Sequence, residues 1–131
     1  MIVLDASAAV DLVLNTRLGR KVADRIKSPE ISIHVPHLID LEVIQVLRRY
    51  VGLKTISKDR GKKALDDFSS LDMERYPHDT MLPRIWDLRN NLTAYDAAYV
   101  TLAEILGATL ITCDARIAEA SGHRVEVIVL K

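Results

Sequence analysis

Apolar residues along this chain fall into short unbroken runs separated by longer stretches of helical spacing. Ile2 to Leu4 form one such run, which stops at Asp5, and "SAAVDLVLN" then takes up a helical pattern. "TRLGRKVADRIKS" predicts a second helix that buries Leu18, Val22, Ala23 and Ile26, turns its Arg and Lys residues outward, and ends at Pro29. "ISIHVP" alternates as a strand stopping at Pro36, and "HLIDLEVIQVLRRYVG" reads as a long helix closed by Gly52. "SKDRGKKALDDFSSL" is a charged amphipathic helix capped by Ser57, followed by an extended piece at "MERYP". Residues 79–90 predict a helix carrying Trp86, with Pro83 tolerated in its first turn. "NLTAYDAAYVTLAE" opens a helix that runs to Gly107, with Asp96 in its middle. "TLIT" is a compact strand stopping before Asp114, "ARIAEAS" a short helix with Gly122 as its C-cap, and "VEVIVL" a final strand. Strands that are apolar throughout and alternate with helices imply a parallel sheet covered on both faces.

Composition fits one α/β domain spanning residues 1–131. The chain is 49% hydrophobic and 27% charged, enough for a single core, and no Pro/Gly/Ser-rich linker divides it. Eighteen basic residues balance eighteen acidic ones, so net charge gives no general reason to bind nucleic acid or an anionic membrane. The lone Cys113 cannot form an intramolecular disulfide, which suits a reducing compartment. No apolar run reaches the roughly 18 residues of a membrane span, and "MIVLDASAAV" lacks the basic n-region of a signal peptide. The expectation is a cytoplasmic protein that makes no use of a membrane.

The acids supply the candidate chemistry. Ligands of open parallel sheets bind beyond the carboxyl ends of the strands, where Asp5 and Asp114 stand in the similar junctions "LDASAA" and "CDARIA". Each is also a good N-cap for the helix that follows, so cap and ligand both fit either residue taken singly. Glu42 lies at the margin of the apolar arc of Ile39, Val43, Leu47 and Tyr50; Asp96 lies beside Tyr99 on a helix apolar around most of its circumference. For Glu42 a surface pairing with Arg49 or Gln45 is the plainer expectation, and for Asp96 a pairing with a distant Arg. Four converging carboxylates would need positive compensation, because burial and like charge both penalise ionisation. Hard oxygen ligands without His or Cys suit Mg²⁺ or Mn²⁺, and such ions serve phosphodiester hydrolysis.

"IVLDASA", "LEVIQVLRR", "LTAYDAAYVTLAE" and "LITCDARIA" together resemble the PIN-domain nucleases, and within them the VapC-type toxins of bacterial toxin–antitoxin pairs. The resemblance covers essentially the whole chain. It implies a sheet of about four or five parallel strands and metal-dependent endonucleolytic cleavage of structured RNA, with tRNA or ribosomal RNA as the usual substrates. It also implies a cognate antitoxin that blocks the site, and 5′-phosphate and 3′-hydroxyl products. Asp5, Glu42, Asp96 and Asp114 match the four acidic positions, and Ser7 and Thr112 the accessory hydroxyls. The first, third and fourth acids would hold the principal Mg²⁺ or Mn²⁺; Glu42 would serve a second ion or the attacking water. A catalytically silent module that uses the fold to hold antitoxin or RNA is the alternative, and a DNA-directed nuclease a lesser one.

Other signals change this picture little. His34 and His37 in "HVPH" flank a strand end with no third zinc ligand, and Cys113 reads as core. The "DASAAV" junction has no glycine-rich phosphate loop. An aspartyl-phosphate hydrolase would want an acid where Ser7 stands. Arg17, Arg20, Lys21, Arg25, Arg48, Arg49 and Lys54 either contact RNA phosphates or form solvated helix faces. Leu12, Val13, Leu14, Leu18, Val46, Tyr50 and Leu53 either pack in the core or line a groove for an antitoxin helix or a homodimer contact.

Overall fold

The computed structural model describes all 131 residues. Five short strands form one sheet: β1 (Ile2–Leu4), β2 (Ile33–Pro36), β3 (Met73–Tyr76), β4 (Thr109–Thr112) and β5 (Val127–Val129). All neighbours are parallel, in the order β3-β2-β1-β4-β5. The order reverses at β1, whose two neighbours lead the chain in opposite directions. A crevice therefore opens past the carboxyl ends of β1 and β4, the place where such sheets bind ligands.

The helices are α1 (Ala6–Val13), α2 (Arg17–Ile26), α3 (Ile39–Gly52), α4 (Lys58–Ser69), α5 (Leu82–Asp87), α6 (Ala94–Leu106) and α7 (Ala115–Glu119). Val3, Leu4, Leu110 and Ile111 of the two central strands are completely buried or nearly so. Helix α6 packs on both strands and α1 on β4, and Ile39 and Val43 of α3, Leu102 of α6 and Ile117 of α7 belong to the same buried cluster. The central strands are thus covered from both sides, which is why their sequences do not alternate.

Several sequence boundaries shift, each for a local reason. Thr93 caps α6, its hydroxyl accepting from the Asp96 amide at 3.1 Å, so Asp96 stands in the first turn and not at mid-helix. Gly52 is the last helical residue of α3; the left-handed position falls on Lys54 (φ 58°) in an exposed turn. Helix α7 ends at Glu119 with an extended Ala120, so Gly122 is not its C-cap. Gly122 (φ 94°) instead shapes a loop whose carbonyls accept from Arg84 and Asn91, and a Cβ there would sit 2.4 Å from Asn91 Nδ2. The segment 79–90 divides into a 3₁₀ turn (Asp79–Met81) and the short α5, with Pro83 in the first turn as expected. Strands β2 and β5 are shorter than "ISIHVP" and "VEVIVL", pairing from Ile33 and Val127 respectively. The expected C-cap at Gly107 is present in the left-handed conformation (φ 62°).

Helix α2 lies directly against α1 because Gly19 has no side chain: a Cβ there would stand 1.8 Å from the Asp11 carbonyl oxygen. Gly19→Ala is expected to lower unfolding stability in urea by about 1–3 kcal/mol or more through overpacking. Gly52→Ala, in a helical position with open space around it, should raise stability by roughly 0.5–1 kcal/mol. Equal effects at the two positions would contradict the close contact between α1 and α2.

Candidate active site

Each of the four predicted acids is delivered by the start of a helix. Asp5 ends β1 and caps α1, Oδ1 accepting from the Ala8 amide at 3.0 Å; Asp114 follows β4 and caps α7, Oδ1 accepting from the Arg116 amide at 3.0 Å. Glu42 and Asp96 stand in the first turns of α3 and α6. Capping and membership of the acidic site therefore coincide at Asp5 and Asp114. The partial positive charge at helix N-termini also favours carboxylates there.

All four acids line one groove of about 550 Å³, together with Ser7, Asp11, Gln45, Tyr95, Tyr99 and Arg116. Ser7 and Thr112 bind the first acid directly. Ser7 Oγ donates to Asp5 Oδ1 at 2.7 Å and Thr112 Oγ1 donates to Oδ2 at 2.5 Å, while the Cys113 and Asp114 amides donate to Ser7 Oγ and Thr112 Oγ1. A carboxylate that is 5% exposed is thereby fixed by donors from both central strand ends.

Glu42 pairs with neither Arg49 nor Gln45. Tyr99, itself 1% exposed, donates its hydroxyl to Glu42 Oε1 at 2.6 Å. The sequence reading noted Tyr99 only as a neighbour of Asp96. Its place one turn deeper on the same helix, as a buried phenol in need of an acceptor, was the available signal. Arg116 was also missed. Its guanidinium grips Asp114, Nε lying 3.0 Å from each carboxylate oxygen and Nη2 2.6 Å from Oδ2. Of the cations proposed for RNA, only Arg49 lines this groove, with Val46 and Tyr50 beside it. Val13 belongs to the core, Leu12, Leu14 and Leu18 pack against it, and Leu53 is exposed.

Electrostatics divides the acids. Burial raises the pKa of Asp5, Glu42 and Asp96, and like charge adds to this: Asp96 acts on Asp5 and Glu42, and Asp114 acts on Asp96. The hydrogen bonds from Thr112, Ala8 and Ser7 oppose the shift at Asp5, as the Tyr99 bond does at Glu42. Asp114 is held below the usual carboxylate range by its hydrogen bonds to Arg116. Burial also pushes the Cys113 thiol up to about 12, which makes it a poor nucleophile at neutral pH. His34 is consumed structurally, with Nδ1 2.6 Å from the Tyr76 hydroxyl and Nε2 2.8 Å from Ser32 Oγ.

An all-oxygen donor set of carboxylates and hydroxyls, short of positive charge, fits a hard divalent cation. No three of the carboxylates form a ready-made cage, so such an ion would keep part of its water shell, as Mg²⁺ habitually does.

Two predictions follow from these contacts. Tyr99→Phe removes the donor that favours ionised Glu42, so the Glu42 titration midpoint, read by carboxyl NMR shifts, should rise, with a stability loss of about 1–3 kcal/mol. An unchanged midpoint would contradict the bond. Three raised pKa values mean that the folded state holds more protons than the unfolded state just above the ordinary carboxylate range. That contribution to stability is complete below the unfolded values and is lost as pH rises through the folded ones. Asp96→Asn should therefore melt at a higher temperature than the parent at pH 7 in chelator, with the gap closing below about pH 4.

A PIN-domain family model matches residues 2–122. Ribonuclease VapC12 of Mycobacterium tuberculosis is 44% identical over 127 residues, 97% of each chain. Among solved structures, VapBC2 from Rickettsia felis, bound to a DNA fragment from its promoter, superposes with a TM-score of 0.72 at 15% identity, covering 100% of both chains. M. tuberculosis VapC20, described as a sarcin-ricin loop cleaving toxin, gives 0.67 at 12% identity over 91% of this chain and 94% of that one.

Proposed function

This chain belongs to the PIN-domain family and, within it, to the VapC ribonucleases, and we propose that its carboxylate groove carries out metal-dependent cleavage of structured RNA. The protein is an endoribonuclease, the toxin of a toxin–antitoxin pair, and its partner is a VapB-like antitoxin. Ribosomal RNA and tRNA are the substrate classes in view; the sarcin-ricin loop cleaving relative supports the former. The observation that carries the catalytic reading is that acids from four separate helix starts line one groove. A silent binding module would have no use for carboxylates whose ionised forms are penalised in this way.

When bound, Mg²⁺ or Mn²⁺ would neutralise the acids, lower the pKa of a coordinated water and stabilise negative charge on the phosphate. Asp5, Asp96 and Asp114 would hold it, directly or through water. Ser7 and Thr112 keep Asp5 from rotating away, since each of its oxygens already has a donor. Glu42, aimed by Tyr99, would orient the attacking water and accept its proton. Arg49 at the groove wall offers a charge for the RNA backbone. The exposed side chains of Leu41 and Tyr95 extend an apolar rim beside the acids. No helix is long and apolar enough to cross a membrane.

Antitoxin-free protein incubated with total RNA and Mn²⁺ should give discrete cuts that chelator abolishes. Asp5→Asn and Asp96→Asn should each lower the rate at least about 100-fold, the several kcal/mol a metal site supplies, while retaining the folded circular-dichroism spectrum. Undiminished cutting by a folded Asp96→Asn protein would remove that residue from the reaction.

A further inference from the structure

Arg116 is a cation placed among acids where neither its helix nor the fold requires one. It stands in the five-residue helix α7, two positions after Asp114. Its side chain is 81% exposed, so packing does not fix it. Yet three short contacts engage both oxygens of Asp114 in the fork geometry that guanidinium and carboxylate favour.

We propose that Arg116 is a tethered counter-ion of Asp114, which competes with a divalent cation for that carboxylate and must be displaced when the cation loads. The proposal rests on the reading that these carboxylates hold such a cation. Three features support it. The guanidinium engages both Asp114 oxygens, the atoms this acid would offer a cation, and one of them already serves as the α7 cap. Arg116 lines the same groove as Asp5, Glu42 and Asp96, so its charge stands beside the other acids. Finally, an ion pair this exposed adds little to folding stability, so releasing it is cheap and the competition is modest and graded.

Competition has a signature that a merely structural side chain lacks. Removing the guanidinium should tighten metal binding, and the gain should fade with salt, which screens an exposed pair more than a partly buried site. Calorimetric titration of Mn²⁺ into the full chain would compare the parent with Arg116→Ala, Arg116→Lys, Asp96→Asn and, as a remote control, Arg84→Ala, whose partner Glu104 lies outside the groove. Arg116→Ala should bind Mn²⁺ about two- to fivefold more tightly at low salt. Arg116→Lys, a point charge without the fork, should fall between it and the parent, and Arg84→Ala should match the parent. The melting-temperature rise on adding Mn²⁺ should be larger for Arg116→Ala than for the parent. Equal or weaker binding by Arg116→Ala, or a gain that persists at high salt, overturns the proposal. If Asp96→Asn loses Mn²⁺ while Arg116→Ala equals the parent, the metal reading stands and the counter-ion alone fails. If no form binds Mn²⁺, both fail.

Discussion

The hydrogen bond from Thr112 to Asp5 joins the ends of the two central strands at the point where their helices begin. Parallel pairing of β1 with β4, in the register Leu4↔Ile111, brings these ends together. Asp5 completes the junction: its amide donates to the Ile111 carbonyl, its Oδ1 caps α1 and its Oδ2 takes the Thr112 hydroxyl. A change in strand register would separate Asp5 from the Thr112 hydroxyl and the Ile111 carbonyl, leaving it only its local donors Ser7 and Ala8. The strand crossover and the candidate chemistry therefore share one set of contacts.

Around that junction the protein accumulates charge it does not neutralise from within. Burial and like charge raise the pKa of three of the four carboxylates, and among the four only Asp114 has a cationic partner. The hydroxyls of Ser7, Thr112 and Tyr99 lessen the penalty by donating to ionised oxygens, but they bring no charge. The core beneath is apolar, with Val3, Leu4, Val100 and Leu110 fully buried. Stability gained in the sheet thus holds in place an arrangement that is unfavourable without a ligand, a common feature of working sites.

Much of the site was legible before any coordinates. Strand ends and helix starts could be read from apolar runs that stop at Asp5 and Asp114, because a run of three or four apolar residues followed by a capping acid is a local signal. The resemblance supplied Glu42 and Asp96, while the helical wheel placed them only at the margins of apolar faces. Their partners were not legible. Tyr99 and Glu42 are 57 positions apart, and their bond depends on how α3 and α6 pack over the sheet. The loop at Gly122 likewise depends on long-range contacts, its carbonyls accepting from Arg84 and Asn91.

The sequence by itself determined the alternation of strand and helix, the parallel character of the sheet and the caps at Asp5, Ser57, Gly107 and Asp114, since each rests on hydrogen bonds or burial within a few residues. Tertiary structure alone decided the strand order, and with it whether Asp5 and Asp114 would face a single crevice, because adjacency across 105 residues is set by packing of the whole sheet. It also decided which way the pKa of each acid moves: carboxylates at helix starts diverge, Asp5 buried and raised, Asp114 more open and lowered by Arg116. Desolvation and neighbouring charge act through space, and only the folded chain fixes those distances.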